Sequence, residues 1–511
     1  MSADSGSEWT EGLGAKVRRG LVWSTLNTIL LRTANLLLGI IVARLISPEE
    51  FGVWAVSLTV QTVLLTLADL GLSAEIVRTD RLAQRMPTVA TIAVVSGAIL
   101  TVSMALSAPW IARTLNAPDA TPVIVVMSST MLLVGFAVAP LGLLQRNIQQ
   151  RRVLAVSAAD LGVGTIAAVA LIVLGLGPMA LAISRVLAQS VSTVLAFVLS
   201  HTRPRFGFDR AEAGPALRYS VPLAAANFLS WAVLSIDNVV VTRVLGPAAL
   251  GIYVLAFNIA MWPMNIIGQA VRSVSMAAFA HVSRGRAAGT DDATDAGIGE
   301  RDQSVAVGVA ISWAAAVPAG ILLGALSGPL IELLYGTKWS AAGPVLAALA
   351  YFGILRVLID ILATYLLARG YSKPVFFVQV IWMLILIPTV MAGVRSFGIA
   401  GAAYAHLITG IVVVVPVYLV YLHVVGADNR AVLRSVIVPV LAGIPTWMVA
   451  TAACHFIHAP LPALAVGGGA GIATYALLVY RWALQQRNVA RRLEQSLEPA
   501  TASAHGGQKT E

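Results

Sequence analysis

Apolar runs of about twenty residues recur along the chain between residues 20 and 482, and no soluble-sized stretch separates them. Each run is close to the length a helix needs to cross the hydrocarbon of a bilayer. The runs predict fourteen transmembrane helices at about 20–45, 51–71, 87–110, 122–144, 153–175, 178–200, 217–245, 248–271, 304–327, 343–368, 375–394, 398–424, 433–453 and 461–481. Only 11% of the 511 residues are charged, against about 25% in soluble proteins. A soluble enzyme with a single membrane anchor is excluded, and the expected fold class is an all-α polytopic membrane protein.

Lysine and arginine set the expected orientation. The loops sharing a side with the N-terminus, together with both tails, carry 26 of the 34 basic residues. The opposite loops carry five, namely Arg44, Arg113, Arg243, Lys338 and Arg395. Such a bias places both termini in the cytoplasm of a multi-pass protein, expected in the cytoplasmic membrane of a bacterium. It also accounts for the formal charge of +10 without nucleic acid, because the basic residues face anionic headgroups. The first run is too long for a signal-peptide core and contains Arg32, so it reads as a span. The single cysteine, Cys454, excludes intrachain disulfides and thiolate metal clusters. Residues 1–15 and 499–511 read as disordered tails. Val489, Leu493 and Leu497 recur every fourth residue beside arginines, which fits a short helix on the membrane surface or a solvated basic helix.

The chain repeats itself. IVARLISPEEFGVW (41–54) aligns with VVTRVLGPAALGIY (240–253), with identities at Val42/Val241, Arg44/Arg243, Pro48/Pro247 and Gly52/Gly251. Further on, GPMALA (177–182) aligns with GIAGAA (398–403), and the larger offset matches a polar loop at about 281–302. Six spans return a chain to its starting side, so the copies are parallel repeats. The expected organisation is a tail at 1–15, an N-lobe at 16–205, a C-lobe at 206–425, two added helices at 426–482 and a basic cytoplasmic tail at 483–511. Two six-helix lobes of this kind are a transporter architecture with the substrate path between them.

Polar residues line up inside several spans. Thr25, Thr28, Arg32, Asn35 and Gly39 share an arc of about 80° in the first, and Asn227, Ser230, Asp237 and Asn238 about 100° in the seventh. The eighth carries Asn258, Asn265, Gln269 and Arg272 on about 60°, and the second a looser stripe of Trp54, Ser57, Gln61 and Asp69. These faces line a water-filled cavity or hydrogen-bond between helices. Charges favour the cavity, since an arginine or aspartate near the bilayer centre costs about 3 kcal/mol even on the gentlest scale. Arg32 lies about 18 Å of rise into its helix and is read as binding a crossing anion, against pairing with a carboxylate such as Asp69. Arg356 and Asp360, one turn apart, are expected to pair. Arg185 and His406 occupy equivalent repeat positions, and His406 is a candidate for a coupling proton or a packing residue. Asp237 is read as a Na⁺ or H⁺ site with Asn238, against a pair with Arg243. Asp69 and Asp160 read as solvated or capping, and Arg44 and Arg243 as interfacial.

RLISPEEFGVWAV followed by LADLGLSAEIVR (67–78), IDNVVVTRVLGPAALGIYVLAFNIAMWP (236–263) and PLGLLQRNIQQRRVLAVSAADLGVG (140–164) resemble polysaccharide transporters of the multidrug/oligosaccharidyl-lipid/polysaccharide flippase superfamily. The resemblance covers about residues 16–425 and implies a V-shaped, two-lobed carrier with a cavity lined by helices 1, 2, 7 and 8. It implies export of polyprenyl-diphosphate-linked oligosaccharide by alternating access, with Arg32, Arg185 and Arg356 facing the diphosphate and Asn35, Gln61, Asn265 and Gln269 lining the path. It also implies cation coupling through helix 7, where Asp237 fits; helix 11, however, offers only Gln379. No enzymatic cofactor is implied, and membrane lipids and a polysaccharide polymerase or ligase are the partners to consider. A drug antiporter of the same superfamily would favour cavity carboxylates over arginines. A polytopic glycosyltransferase would need catalytic residues in sizeable external loops, which are short here. His455 and His458 have no third ligand for zinc, and no P-loop motif occurs.

Overall fold

In the computed structural model, residues 33–69, 71–79, 81–203, 205–287, 296–369, 371–427 and 429–497 are described, and every regular element among them is helical. In order these are α1 (Thr33–Leu45), α2 (Pro48–Asp69), α3 (Leu72–Arg78), α4 (Leu82–Thr114), α5 (Ala120–Arg146), α6 (Gln150–Val173) and α7 (Pro178–Ser200). There follow α8 (Arg210–Leu234), α9 (Ile236–Leu245), α10 (Pro247–Ala287), α11 (Ala296–Ala325), α12 (Ser327–Tyr335), α13 (Ala342–Ala368) and α14 (Ser372–Thr409). The chain ends through α15 (Val415–Val424), α16 (Asn429–Phe456) and α17 (Pro460–Leu497). Among the described residues, 10 helices are long and apolar enough to cross a membrane. One of them, Lys373–Val424, runs to 52 residues and contains the eleventh and twelfth predicted spans, joined at Gly398, whose backbone is not helical. Helices also occupy the second and seventh predicted spans, as α2 and as α8 with α9.

The contacts divide the chain into two compact units, Met1–Val254 and Leu255–Glu511. In the first, α5 is central, packing against α2, α4 and α7, while α6 pairs with α7. The start of α2 is fixed by a capping box: the Ser47 N–H donates to Glu50 Oε2 (2.9 Å) and the Glu50 N–H to Ser47 Oγ (3.2 Å). Beside it lies the second copy of the repeated motif. A Cβ on Gly52 would run into the carbonyl oxygen of Pro247, and one on Gly251 would stand 2.7 Å from that of Pro48. The aligned prolines and glycines of the two copies therefore meet reciprocally, which only residues without a side chain permit.

The repeat also recurs in backbone geometry. Gly177 opens α7 at φ 54°, ψ −132°, and its aligned partner Gly398 takes φ 60°, ψ −144°. Side-chain-bearing residues essentially never occupy that region, so both halves turn into their sixth helix by the same glycine-specific bend.

In the second unit α13 is the most enclosed span, packed by α11, α14 and α12. The added helices α16 and α17 pair with each other and close over α11. Three expectations change here. The seventh span is not one helix but breaks at Ser235 into α8 and α9. The polar loop expected at 281–302 is shorter, because α10 continues to Ala287 and α11 begins at Ala296. Val489, Leu493 and Leu497 belong to no separate surface helix, since α17 runs unbroken from Pro460 to Leu497.

Candidate functional site

Asp237 stands in the first turn of α9, immediately after the break at Ser235. It is 3% exposed, and its carboxylate accepts the Asn238 N–H at Oδ1 (2.9 Å) and the Tyr253 hydroxyl at Oδ2 (2.8 Å). A carboxylate at a helix N-terminus also meets the positive end of the helix dipole. Asn238 Nδ2 donates to Thr59 Oγ1 of α2 at 3.3 Å. Four polar side chains from α2, α9 and α10 thus share one buried patch. The first repeat carries Leu38, Gly39 and Trp54 where the second has Asp237, Asn238 and Tyr253, so the patch is absent from the duplicated framework. Arg243 takes a different partner from the one considered in sequence, donating through Nη1 to Thr114 O at the end of α4 (2.6 Å).

A second cluster lies in the second unit. Arg356 Nε donates to Asp360 Oδ1 at 3.3 Å, the pairing their spacing predicts, and its guanidinium lies 5.4 Å from the Trp382 ring centre. Phe352, one turn earlier, lies 5.0 Å from His406 with the rings tilted by 43° and meets Trp382 edge-on at 6.2 Å. His406 is buried in this aromatic setting, one turn before a π-helical segment at Gly410–Val414. π segments of this kind often accompany functional sites. Arg356 and His406 are therefore linked through Trp382 and Phe352.

The remaining candidates are scattered. Arg185 Nη1 pairs with Asp160 Oδ2 at 2.9 Å between α7 and α6, so Asp160 is neither a cap nor simply solvated; its Oδ1 is buried without a donor among the described residues. Gln61 is buried and donates to Thr130 Oγ1 at 2.6 Å, joining α2 to α5. Asn35 and Asn265 lie exposed on α1 and α10, as does Gln379 on α14. Arg32 lies outside the described residues, as do the side chains of Gln269 and Asp69.

The match to a known family covers the Asp237 patch, Gln61 and the Arg185–Asp160 pair, and ends before the Arg356 cluster. Residues 41–344 match the family model for polysaccharide biosynthesis protein. The chain belongs to that family. Its relatives include the lipopolysaccharide biosynthesis protein WzxC of Escherichia coli (strain K12), 24% identical, with 86% of this chain and 88% of WzxC aligned. The succinoglycan biosynthesis transport protein ExoT of Rhizobium meliloti (strain 1021) is 25% identical over 93% of this chain and 94% of its own. Among solved structures, the fold is similar to that of the lipid II flippase MurJ in an inward closed conformation, with a TM-score of 0.70 at 14% identity over 90% of this chain and 99% of MurJ. An inward-facing multidrug resistance MATE transporter gives 0.61 at 16% identity over 78% and 96%.

This family member also carries a charge network that periodicity alone did not single out. Glu75 of α3 has no exposed side-chain surface, and Arg85 of α4 bridges it (2.5 Å) to Glu212 in the first turn of α8 (2.7 Å). Arg78 adds a second contact to Glu75 at 3.1 Å, and Arg146 donates to the carbonyls of Ile76, Val77 and Thr79 that end α3. A signal existed, since Glu75 and Glu212 are acids within the arginine-rich end, where a burial-prone carboxylate needs a partner. Among the described residues, no group of three or more His, Cys, Asp or Glu side chains could hold a metal.

Proposed function

We infer that this chain is a flippase that carries a polyprenyl-diphosphate-linked oligosaccharide from the inner to the outer leaflet by alternating access, for cell-surface polysaccharide biosynthesis. The observation that carries this reading is a family match spanning residues 41–344 together with near full-length alignment to a polysaccharide transport protein. The duplicated six-helix framework read from the sequence would supply the two halves that alternating access requires.

The physical task is to move a diphosphate-sugar headgroup through a medium that cannot solvate it. Arg32, Arg185 and Arg356 are proposed to offset the diphosphate charge, with Asn35, Gln61, Asn265 and Gln269 facing the sugar path, while the prenyl tail stays in lipid. Arg185 and Arg356 each hold a carboxylate, so anion binding by either requires exchange of that partner. Coupling to Na⁺ or H⁺ is proposed through Asp237 and Asn238, with His406 as a second titratable position. The lysine and arginine bias supports a cytoplasmic assignment for the basic end, and the proposed location is a bacterial inner membrane. A polysaccharide polymerase or ligase would act on the delivered lipid.

The deciding experiment is depletion of the protein followed by quantification of polyprenyl-diphosphate oligosaccharide and its leaflet, read with an external glycan-modifying probe. Build-up of protected, inward-facing intermediate with loss of surface glycan is expected. Unchanged intermediates with altered efflux of small cations would reassign the chain to drug antiport. Arg32→Ala at full expression is expected to abolish export, and normal export would remove Arg32 from the mechanism.

A further inference from the structure

At the basic end of the first unit, the segment joining α7 to α8 is held against α4 by three hydrogen bonds. Thr91 Oγ1 accepts the Gly207 N–H (3.1 Å) and donates to the Gly207 carbonyl (3.0 Å), and Thr88 Oγ1 accepts the Asp209 N–H (3.1 Å). Pinned this way, Phe206 meets Phe136 of α5 edge-on at 6.1 Å. Below it a narrow groove opens between α4, α5 and α7. Ala90, Gly135, Ala139, Phe136, Phe197 and Phe206 are among the residues that line it. Arg203 and Arg205 stand at its mouth and are exposed.

Arg203 and Arg205, like Arg151, Arg210 and Arg218, take no part in the ion pairs found among the described residues of this end. Arg78, Arg81 and Arg85 are engaged by Glu75 and Glu212, and Arg146 and Arg152 by main-chain carbonyls. Among the described residues, Arg203 and Arg205 have no carboxylate within ion-pair distance. Beside them Phe206 is 52% and Phe208 67% exposed. An aromatic pair with two guanidiniums at the end of transmembrane helices sits at headgroup depth. Guanidinium binds phosphate through paired donors, and an apolar surface beside it lies against a hydrocarbon chain.

We propose that this groove is a binding site for an anionic glycerophospholipid of the leaflet at the basic end, its phosphate held between Arg203 and Arg205 and one acyl chain laid along Phe136, Phe197 and Phe206. None of the residues that line it is among those proposed to handle the exported lipid, and its occupant is a resident of the bilayer. Bound there, the lipid would bridge α4, α5 and α7 to the start of α8.

The test uses the purified full-length chain in non-ionic detergent, titrated with dioleoyl phosphatidylglycerol, dioleoyl phosphatidylcholine or undecaprenyl phosphate and read by native mass spectrometry. Phosphatidylglycerol is expected to be retained in preference to phosphatidylcholine. The Arg203→Gln/Arg205→Gln double variant should lower its retention about tenfold, and Arg151→Gln/Arg218→Gln, the same charge change elsewhere on the basic end, should not. Equal retention by both double variants overturns the proposal, as does loss of undecaprenyl phosphate without loss of phosphatidylglycerol. Photo-cross-linking of the unmodified chain with a diazirine phosphatidylglycerol is independent of how the variants fold. Labelling within residues 86–94, 135–139 and 197–206 supports the site, and labelling confined to other segments rejects it.

Discussion

Arg85 holds two buried carboxylates at once, Glu75 and Glu212, and each comes from a different helix. Removing the middle of such a network leaves charge buried without its main partner, at about 3 kcal/mol or more. Arg85→Ala is therefore expected to lower the thermal midpoint in detergent sharply. Arg81→Ala, which removes a 3.8 Å contact from a side chain 72% exposed, should leave it unchanged. Equal effects would mean that the network does not carry stability. The site residues show where sequence reading reaches and where it stops. Arg356 and Asp360 were legible because helix geometry alone brings positions four apart together. Arg185 and Asp160 were not, since their 2.9 Å contact depends on how α6 is rotated against α7. Asp237 was legible as a costly intramembrane acid, but its partner Tyr253 sits on the next helix. Tyr253→Phe removes that donor without changing shape, and if Asp237 takes up the coupling cation, it should shift the cation dependence of transport. A pure packing role would lower stability and leave cation dependence alone.

At the scale of the element, apolar run length was enough to place the helices, because lipid leaves a spanning backbone few alternatives. Breaks were harder. Nothing in Leu234, Ser235 and Ile236 resembles a proline or glycine break, yet the seventh span divides there. The usable signal was Asp237 itself, an acid of the kind that favours a first helical turn. The glycine bends are the opposite case, visible in the aligned GP and GI pairs. Gly177→Ala and Gly398→Ala should each cost about 1–3 kcal/mol through backbone strain, seen as reduced folded yield. Gly308→Ala, which meets open space at an ordinary backbone angle, should cost nothing. The close approach of α2 and α10 gives a sharper contrast. Gly52→Val must push the Pro247 carbonyl away and should abolish folding or export, whereas Gly39→Ala has room and should not.

For the molecule as a whole, the decisive sequence evidence was the spacing of four identities, which exposed the duplication. The lysine and arginine bias yields a topology that reporter fusions can check. Alkaline phosphatase fused after Lys338 should be active and the same enzyme fused after Glu511 inactive; the reverse pattern would invert the assignment. What remained hidden was long-range: which arginines are neutralised by distant carboxylates, and which stand beside an apolar groove. The reciprocal contact of Pro48 and Gly52 with Pro247 and Gly251 has a historical meaning. A patch that touches its own copy is what a gene of half this length would present to a second molecule of its product, as a self-complementary two-fold interface. In such an ancestor every substitution in the motif would be felt twice across the interface. Within one chain the copies are free to differ, and they do: one carries Ser47 and Glu50 as a helix cap, and the other has Gly246 at the cap position and an aspartate nine residues before it.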